Sequence, residues 1–242
     1  MAEVRLQKYF TDCGIMSRRA AEAEIARGLV KVNGVVAEIG CKIDPEIDTI
    51  EYKGKVITPK NCGEARRSTY ILLNKPVGYV CTMSDEEGRL TVRDLVKSIR
   101  SRVYPVGRLD MYSDGLIIMT DDGELTNRMT HPSHGLCKTY IAEIPGKLTA
   151  EDAYRLGEPI EIDGYMIKRP EVELVSSENG VSKVKFVLAE GRNRQIRRMC
   201  ADKGFKITRL TRIKIGDIED PELPLGRWRF LKEEEIDYLK NI

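Results

Sequence analysis

Three short segments carry the side chains with the most chemistry in them. Gly107-Arg108-Leu109-Asp110 sets a carboxylate beside an arginine in a loop that follows one strand, and Ser113-Asp114-Gly115-Leu116 leads into the next. A carboxylate held this way can serve as a nucleophile or a general base; taken alone, the four residues read more readily as a loop salt bridge. Gly191-Arg192-Asn193-Arg194-Gln195-Ile196-Arg197-Arg198 opens a helix expected over 194–203 and closed by Gly204. On that helix Arg194, Arg197 and Arg198 would share one face while Ile196, Met199 and Cys200 turn inward. Arginines at a helix N-terminus, where free N–H groups favour anions, suit phosphates or a carboxylate brought from elsewhere. Lys138-Thr139-Tyr140 enters a strand, where a tyrosine ordinarily packs; it gains interest only in company with the other two segments.

The elements that must position these groups fall into two parts. Leu6, Tyr9, Phe10 and Cys13 recur at helical spacing, and Ser17 caps a second helix that Gly28 ends. Short strands follow, with Asn33-Gly34 a tight-turn signal between Leu29–Val32 and Val35-Val36. Residues 61–68 lack apolar periodicity, which makes them a linker between a unit over 1–60 and a larger one over 69–242. In the larger unit, strands are expected at Tyr70–Leu73, Tyr104–Val106, Leu116–Thr120, Thr139–Ile144 and Val184–Leu188. Thr91 with Asp94 forms a capping box for a helix through Ile99, and Thr149 with Asp152 a second. The fold class is α+β, with a large mixed sheet.

Composition narrows the field. The 242 residues carry a net charge of only +2, but nine basic residues crowd between Arg192 and Lys214 against one acid, Asp202. Eight acids between Asp217 and Asp237 nearly hide that patch in the total. Such a cluster is the footprint of a phosphate-backbone reader, or else a solvated face. No apolar run reaches membrane-span length and no signal-like stretch opens the chain, so a cytoplasmic protein without a membrane partner is expected. The six cysteines lie far apart with no Cys-x-x-Cys and read as reduced; His131 and His134 lack a third ligand, so no metal site is expected.

Taken in order, Leu6–Ile57, Leu73-Asn74-Lys75-Pro76-Val77-Gly78, Gly107–Gly123, Lys138-Thr139-Tyr140, Gly191–Met199 and Pro224-Leu225-Gly226-Arg227-Trp228 resemble the ribosomal RNA pseudouridine synthase family, across nearly the whole chain. Asn193–Cys200 looks most like the large-subunit type F enzymes. The resemblance implies a small N-terminal RNA-binding domain like that of ribosomal protein S-four, and a catalytic domain with a mixed, mainly antiparallel sheet. It makes Asp110 the essential aspartate, Tyr140 the aromatic that stacks on the target base, and Arg197 the basic partner that keeps Asp110 in its charged form. Arg5, Lys8, Arg18, Arg19, Arg27, Lys31, Arg108, Arg192, Arg194, Arg198, Arg209 and Arg212 are the expected RNA contacts. Thr120-Asp121-Asp122-Gly123 departs from a more usual Thr-Asn-Asp-Gly, and the long basic C-terminal tail of some relatives is not seen after Tyr238.

The reaction so implied oxidises nothing and needs no cofactor, and neither a dinucleotide fingerprint nor a P-loop is present. The partner would be ribosomal RNA, the large subunit favoured, with small-subunit RNA and transfer RNA left open and a monomer as the default. Two other readings compete. One is a ribosome-associated RNA-binding protein without catalysis, which would not need residues 110, 140 and 197 together. The other is a carboxylate-dependent glycoside hydrolase, which would need a second acid, Asp114 being nearest.

Overall fold

The computed structural model describes residues 3–57, 68–131 and 135–242, and the chain divides into two compact units, Met1–Ser68 and Thr69–Ile242. Most of the expected linker, and His134 and Cys62, lie outside the described residues.

In the first unit a short strand β1 (Val4–Arg5) leads into helices α1 (Leu6–Asp12) and α2 (Arg18–Ala26), followed by strands β2 (Val30–Val32), β3 (Val35–Val36), β4 (Lys42–Ile43), β5 (Ile50–Tyr52) and β6 (Lys55–Ile57). The Ser17 side chain accepts from Ala20 N, as an N-cap does. Asn33 and Gly34 both take positive φ, the conformation a two-residue hairpin turn demands. Leu6, Phe10, Ala21, Ile25, Val30, Ile43 and Ile50 close one core, with the order β3-β2-β5-β6 in the sheet beneath. Cys13 is disulfide-bonded, which corrects the expectation of six reduced thiols; Cys41, Cys81, Cys137 and Cys200 are free.

The second unit is built on one large sheet. Its elements in chain order are β7 (Tyr70–Lys75), α3 (Val92–Leu95), β8 (Tyr104–Pro105), β9 (Asp114–Thr120), α4 (Gly123–Thr130), β10 (Lys138–Pro145) and α5 (Ala150–Leu156). Then come β11 (Glu161–Ile162), β12 (Tyr165–Met166), β13 (Glu171–Glu178), β14 (Val181–Leu188), α6 (Gln195–Asp202), β15 (Arg209–Ile215), β16 (Ile218–Glu219), β17 (Trp228–Phe230) and α7 (Glu233–Lys240). The sheet runs β13-β14-β10-β15-β9-β7-β17, with β16 beside β15 and β8 beside β9. Its pairings are antiparallel except β15 with β9, so it is mixed.

Every residue of β9 is buried, because both faces of the sheet are covered there. Leu116 and Ile118 pack with Leu125 and Met129 of α4 and Leu239 of α7, while Ile117 and Met119 meet Val92, Val96 and Val103 on the other side. At roughly 1.5–3 kcal/mol for each fully buried large aliphatic chain, this strand anchors half of the unit. The other half alternates: Val184, Phe186 and Leu188 of β14 face Leu156 of α5 and Ile196 and Cys200 of α6. The Thr91–Asp94 capping box forms, but α3 is a single turn and not a helix through Ile99. Val96 leaves helical geometry to drop its side chain into the core.

The two halves of the sheet meet at the one parallel pairing, Thr211 with Asp114 and Arg212 with Gly115. Gly115 has φ +111, and a Cβ there would lie 2.2 Å from the Arg212 carbonyl oxygen. Only glycine lets the backbones approach so closely. Gly115→Ala should therefore destabilise the second unit by more than about 3 kcal/mol, from steric overlap together with backbone strain. Urea denaturation of the variant measures this; a loss below about 1 kcal/mol would show that the junction can open to admit a methyl group.

Candidate active site

Asp110 lies in the loop between β8 and β9, and the chain fixes that loop from several sides. Leu109 is buried and its N–H reaches Cys81 Sγ at 3.2 Å, while Gly78 N donates to Met111 O at 2.7 Å. Asp110 shapes the loop with its own carboxylate: Oδ1 accepts from Tyr112 N at 2.9 Å and Oδ2 from Ser113 Oγ at 2.8 Å. The first is the Asx-turn contact that aspartate makes two residues ahead. Burial also pushes the Cys81 thiol upward, so that it serves here as a neutral acceptor.

Arg197 comes from the first turn of α6. Its Nε stands 3.6 Å from Asp110 Oδ2, and Arg194 Nη1 stands 3.9 Å from Oδ1. Arg197 Nη2 donates to Tyr112 O at 2.7 Å and to Ser113 Oγ at 3.3 Å, so Ser113 links guanidinium to carboxylate. Its buried Nε makes no hydrogen bond. The contact with Asp110 is thus an ion pair braced through neighbours and not a bidentate fork. Arg194 differs from expectation: it precedes the helix as its N-cap with φ 51 and ψ 34, a left-handed conformation uncommon for arginine. That turn, and not a shared helical face, brings its guanidinium to Asp110 and to 6.0 Å from the Tyr112 ring centroid.

Asp110 and Tyr140 line the same cleft, of about 920 Å³, together with Arg108, Ser113, Lys138, Arg192, Arg194 and Arg212. Tyr140 sits on β10 directly across from Arg212 of β15. Its hydroxyl accepts from Arg212 Nη1 at 3.4 Å, and the guanidinium carbon lies 5.9 Å from the ring centroid.

The remaining basic residues have varied placements. Arg108, Arg192 and Arg194 are exposed, with Arg192 3.8 Å over the ring of Tyr165. Arg198 pairs with Asp163 at 2.8 Å and pins the β11–β12 hairpin to α6. Arg209 donates Nε and Nη2 to Asp114 Oδ2 at 3.0 and 2.8 Å, while Thr211 donates to Oδ1. Arg212 is only 4% exposed, which takes it off the surface where an RNA backbone contact was expected. In the first unit Arg5, Arg18, Arg19, Arg27 and Lys31 are exposed, Lys8 pairs with Asp12 and Arg27 with Glu24. Asp114 is 2% exposed and fully engaged, so it is no second acid for a glycoside hydrolase. Sequence reasoning missed Ser113 as the bridge, and Lys138 and Arg212 as cleft cations, although all three stand in or beside the segments singled out.

Comparison with known proteins gives the family of the chain. A family model described as RNA pseudouridylate synthase matches residues 69–202. The chain is 39% identical over 241 residues to an uncharacterized RNA pseudouridine synthase of Aquifex aeolicus, covering 99% of this chain and 94% of that one. The chain belongs to the RNA pseudouridine synthase family. Ribosomal large subunit pseudouridine synthase B of Pseudomonas aeruginosa is 37% identical over 98% of this chain, which spans 62% of that protein's length. A crystal structure titled as a pseudouridylate synthase superposes with a TM-score of 0.68 at 30% identity, covering 98% of this chain and 99% of that one. The synthase is thus an isomerase of α+β fold, and among its described residues no helix is long and apolar enough to cross a membrane.

Arg209 gives the clearest test of this sorting of basic residues. Arg209→Ala leaves a buried carboxylate with Thr211 as its main donor, and should cost about 2 kcal/mol of stability. Chemical denaturation at neutral pH reads that loss; an unchanged midpoint would return Arg209 to the set of free surface cations.

Proposed function

We propose that this synthase isomerises one uridine in ribosomal RNA, with Asp110 as the reacting carboxylate, Tyr140 as the stacking surface for the base and Arg197 as the partner of Asp110. The observation that carries the reading is the 3.6 Å approach of Arg197 to Asp110 at the wall of the cleft that Tyr140 lines. The glycosidic C1′–N1 bond breaks, uracil turns, C1′ joins C5, the C5 proton leaves and N1 ends protonated. No atom is gained or lost. A uridine inside folded RNA must first be extruded, at a cost of a few kcal/mol, and stacking on Tyr140 returns about 1–3 kcal/mol.

Backbone contacts supply the rest. The unit over 1–60 is read as an RNA-binding domain like that of ribosomal protein S-four. Arg18 and Arg19 support this, because both occupy the first turn of α2, where the helix dipole disfavours cations and no acid offsets them. With Arg108, Arg192 and Arg194 at the cleft, contact with about six phosphates is expected. Affinity should then fall roughly 10³-fold between 50 and 200 mM salt, on the slope known for duplex DNA. Large-subunit RNA is the favoured target: the Pseudomonas relative bears that name, and the Asn193–Cys200 segment resembles large-subunit enzymes of type F.

The test is pseudouridine formation on large-subunit RNA transcripts. Asp110→Asn should lower turnover by more than about 10³-fold with RNA affinity kept. Arg197→Ala should reduce turnover more than binding, and Arg18→Ala or Arg19→Ala binding more than turnover. Undiminished turnover by Asp110→Asn would remove that residue from its role; mapping pseudouridine in ribosomal RNA from cells with and without the protein identifies the site.

A further inference from the structure

Two cations of the cleft have no use in the scheme above. Arg212 and Lys138 both line it, and they lie on one face of the sheet around Tyr140: Lys138 is two residues before Tyr140 on β10, and Arg212 is its cross-strand neighbour on β15. Arg212 is 4% exposed, yet no carboxylate among the described residues pairs with it. Its Nε donates to Leu116 O at 2.6 Å and Nη1 to the Tyr140 hydroxyl, while Nη2 is buried without a partner. Lys138 is half-buried and likewise has no ion pair among the described residues. Burial first, and then the charge of Arg212, push the Lys138 ammonium below the usual lysine range. Buried charge is ordinarily paired because desolvation is costly. Asp114, the buried acid nearby, is fully occupied by Arg209 and Thr211. Two positive groups therefore stand beside the Tyr140 ring, and no carboxylate among the described residues is paired with either.

We propose that Lys138 and Arg212 form an anion-stabilising edge that receives the carbonyl oxygens of the detached uracil. The inference rests on the reading of the cleft given above. When C1′–N1 breaks with the electron pair going to the base, uracil becomes an imide-like anion whose charge spreads over N1, O2 and O4. Cations fixed beside Tyr140 meet that charge as it develops, so their contribution is larger in the transition state than in the bound substrate. It vanishes again when C1′ joins C5 and neutralises the base, after which the C5 proton is replaced by one on N1 and the product stays neutral. Both groups are thereby assigned as catalytic residues toward the leaving base, distinct from the ion pair that holds Asp110.

The experiment is single-turnover kinetics of the full-length protein on a large-subunit RNA transcript, with Arg212→Gln, Arg212→Lys and Lys138→Met. Arg212→Gln and Lys138→Met should each slow the step about 10²-fold while RNA affinity changes less than about threefold. Arg212→Lys should recover part of the rate. A second substrate carries 6-azauridine at the target position, whose electron-poor base leaves more readily; there the deficit of each variant should shrink to below about tenfold. Wild-type rates in both variants would overturn the proposal, as would a loss of affinity matching the loss of rate, which marks a phosphate contact. Equal deficits on the two substrates would also overturn it, since that is the mark of a merely structural role. If Arg212→Gln fails to fold, Lys138→Met decides on the same criteria. Loss of turnover in Asp110→Asn alongside an unimpaired Lys138→Met would remove this proposal alone, whereas a wild-type protein inactive on every ribosomal transcript would remove the underlying reading with it.

Discussion

The parallel contact between β9 and β15 is the constraint on which the site depends. Two residue pairs join the strands there, with Gly115 against the backbone of Arg212. The same few residues begin the strand that follows Asp110 and carry the arginine that faces Tyr140. Because Asp110 precedes this point by only four residues, any slip of β9 along β15 would move the carboxylate by a comparable distance. Interactions of this chemistry are sensitive to displacements near 1 Å. The buried Asp114 locks the register from the side, since its two oxygens are claimed by Arg209 and Thr211 of β15 and by nothing on its own strand. A hydrophobic residue at 114 could fill the space but could not specify which residue of β15 stands opposite.

Asp110 itself is held without being consumed. A carboxylate offers about four acceptor positions. One on each oxygen is taken by Tyr112 N and Ser113 Oγ, and the flanking arginines stand at 3.6 and 3.9 Å, close enough for attraction but short of good hydrogen bonds. Tighter pairing would cover the oxygens. Bracing Arg197 on Tyr112 O and Ser113 Oγ supplies positive potential while leaving acceptor capacity open. The Asx-turn inside the loop does the aiming, so the backbone need not be strained at Asp110.

Much of this was legible in the sequence because the signals were local. The helix caps at Ser17, Thr91 and Thr149 and the left-handed Asn-Gly turn at 33–34 need only a few neighbouring residues, and each formed. The meeting of Asp110 with Arg197 was legible only through resemblance, since no periodicity links residues 87 positions apart. What the sequence hid was which arginine faces which partner. Nine basic residues between 192 and 214 read as one patch, and the fold divides it. Arg198 goes to a hairpin, Lys203 to Glu158, Arg209 to a buried aspartate and Arg212 into the sheet. Burial on β15 alternates with the pleat, so Arg212 turns inward while Arg209 and Ile213 face out. An inward arginine on a central strand contradicts ordinary hydrophobic patterning, and pattern reasoning assigns such a residue to the surface.

That contradiction is informative about how the fold divides its labour. Departures from local rules concentrate where a site demands them, and here two line the cleft and a third lies against the backbone of Arg212. Arg194 takes a left-handed conformation that costs an arginine free energy, Arg212 is buried with no carboxylate partner among the described residues, and Gly115 takes a positive φ inside a fully buried strand. Each is stable only because the surrounding layers over-determine it: β9 is packed on both faces, and α6 is seated by Ile196, Met199 and Cys200. Core packing elsewhere thus offsets unfavourable electrostatics at the cleft. A cleft whose positive charges were all neutralised by the chain's own acids would be more stable, and would have nothing left with which to meet an arriving negative charge.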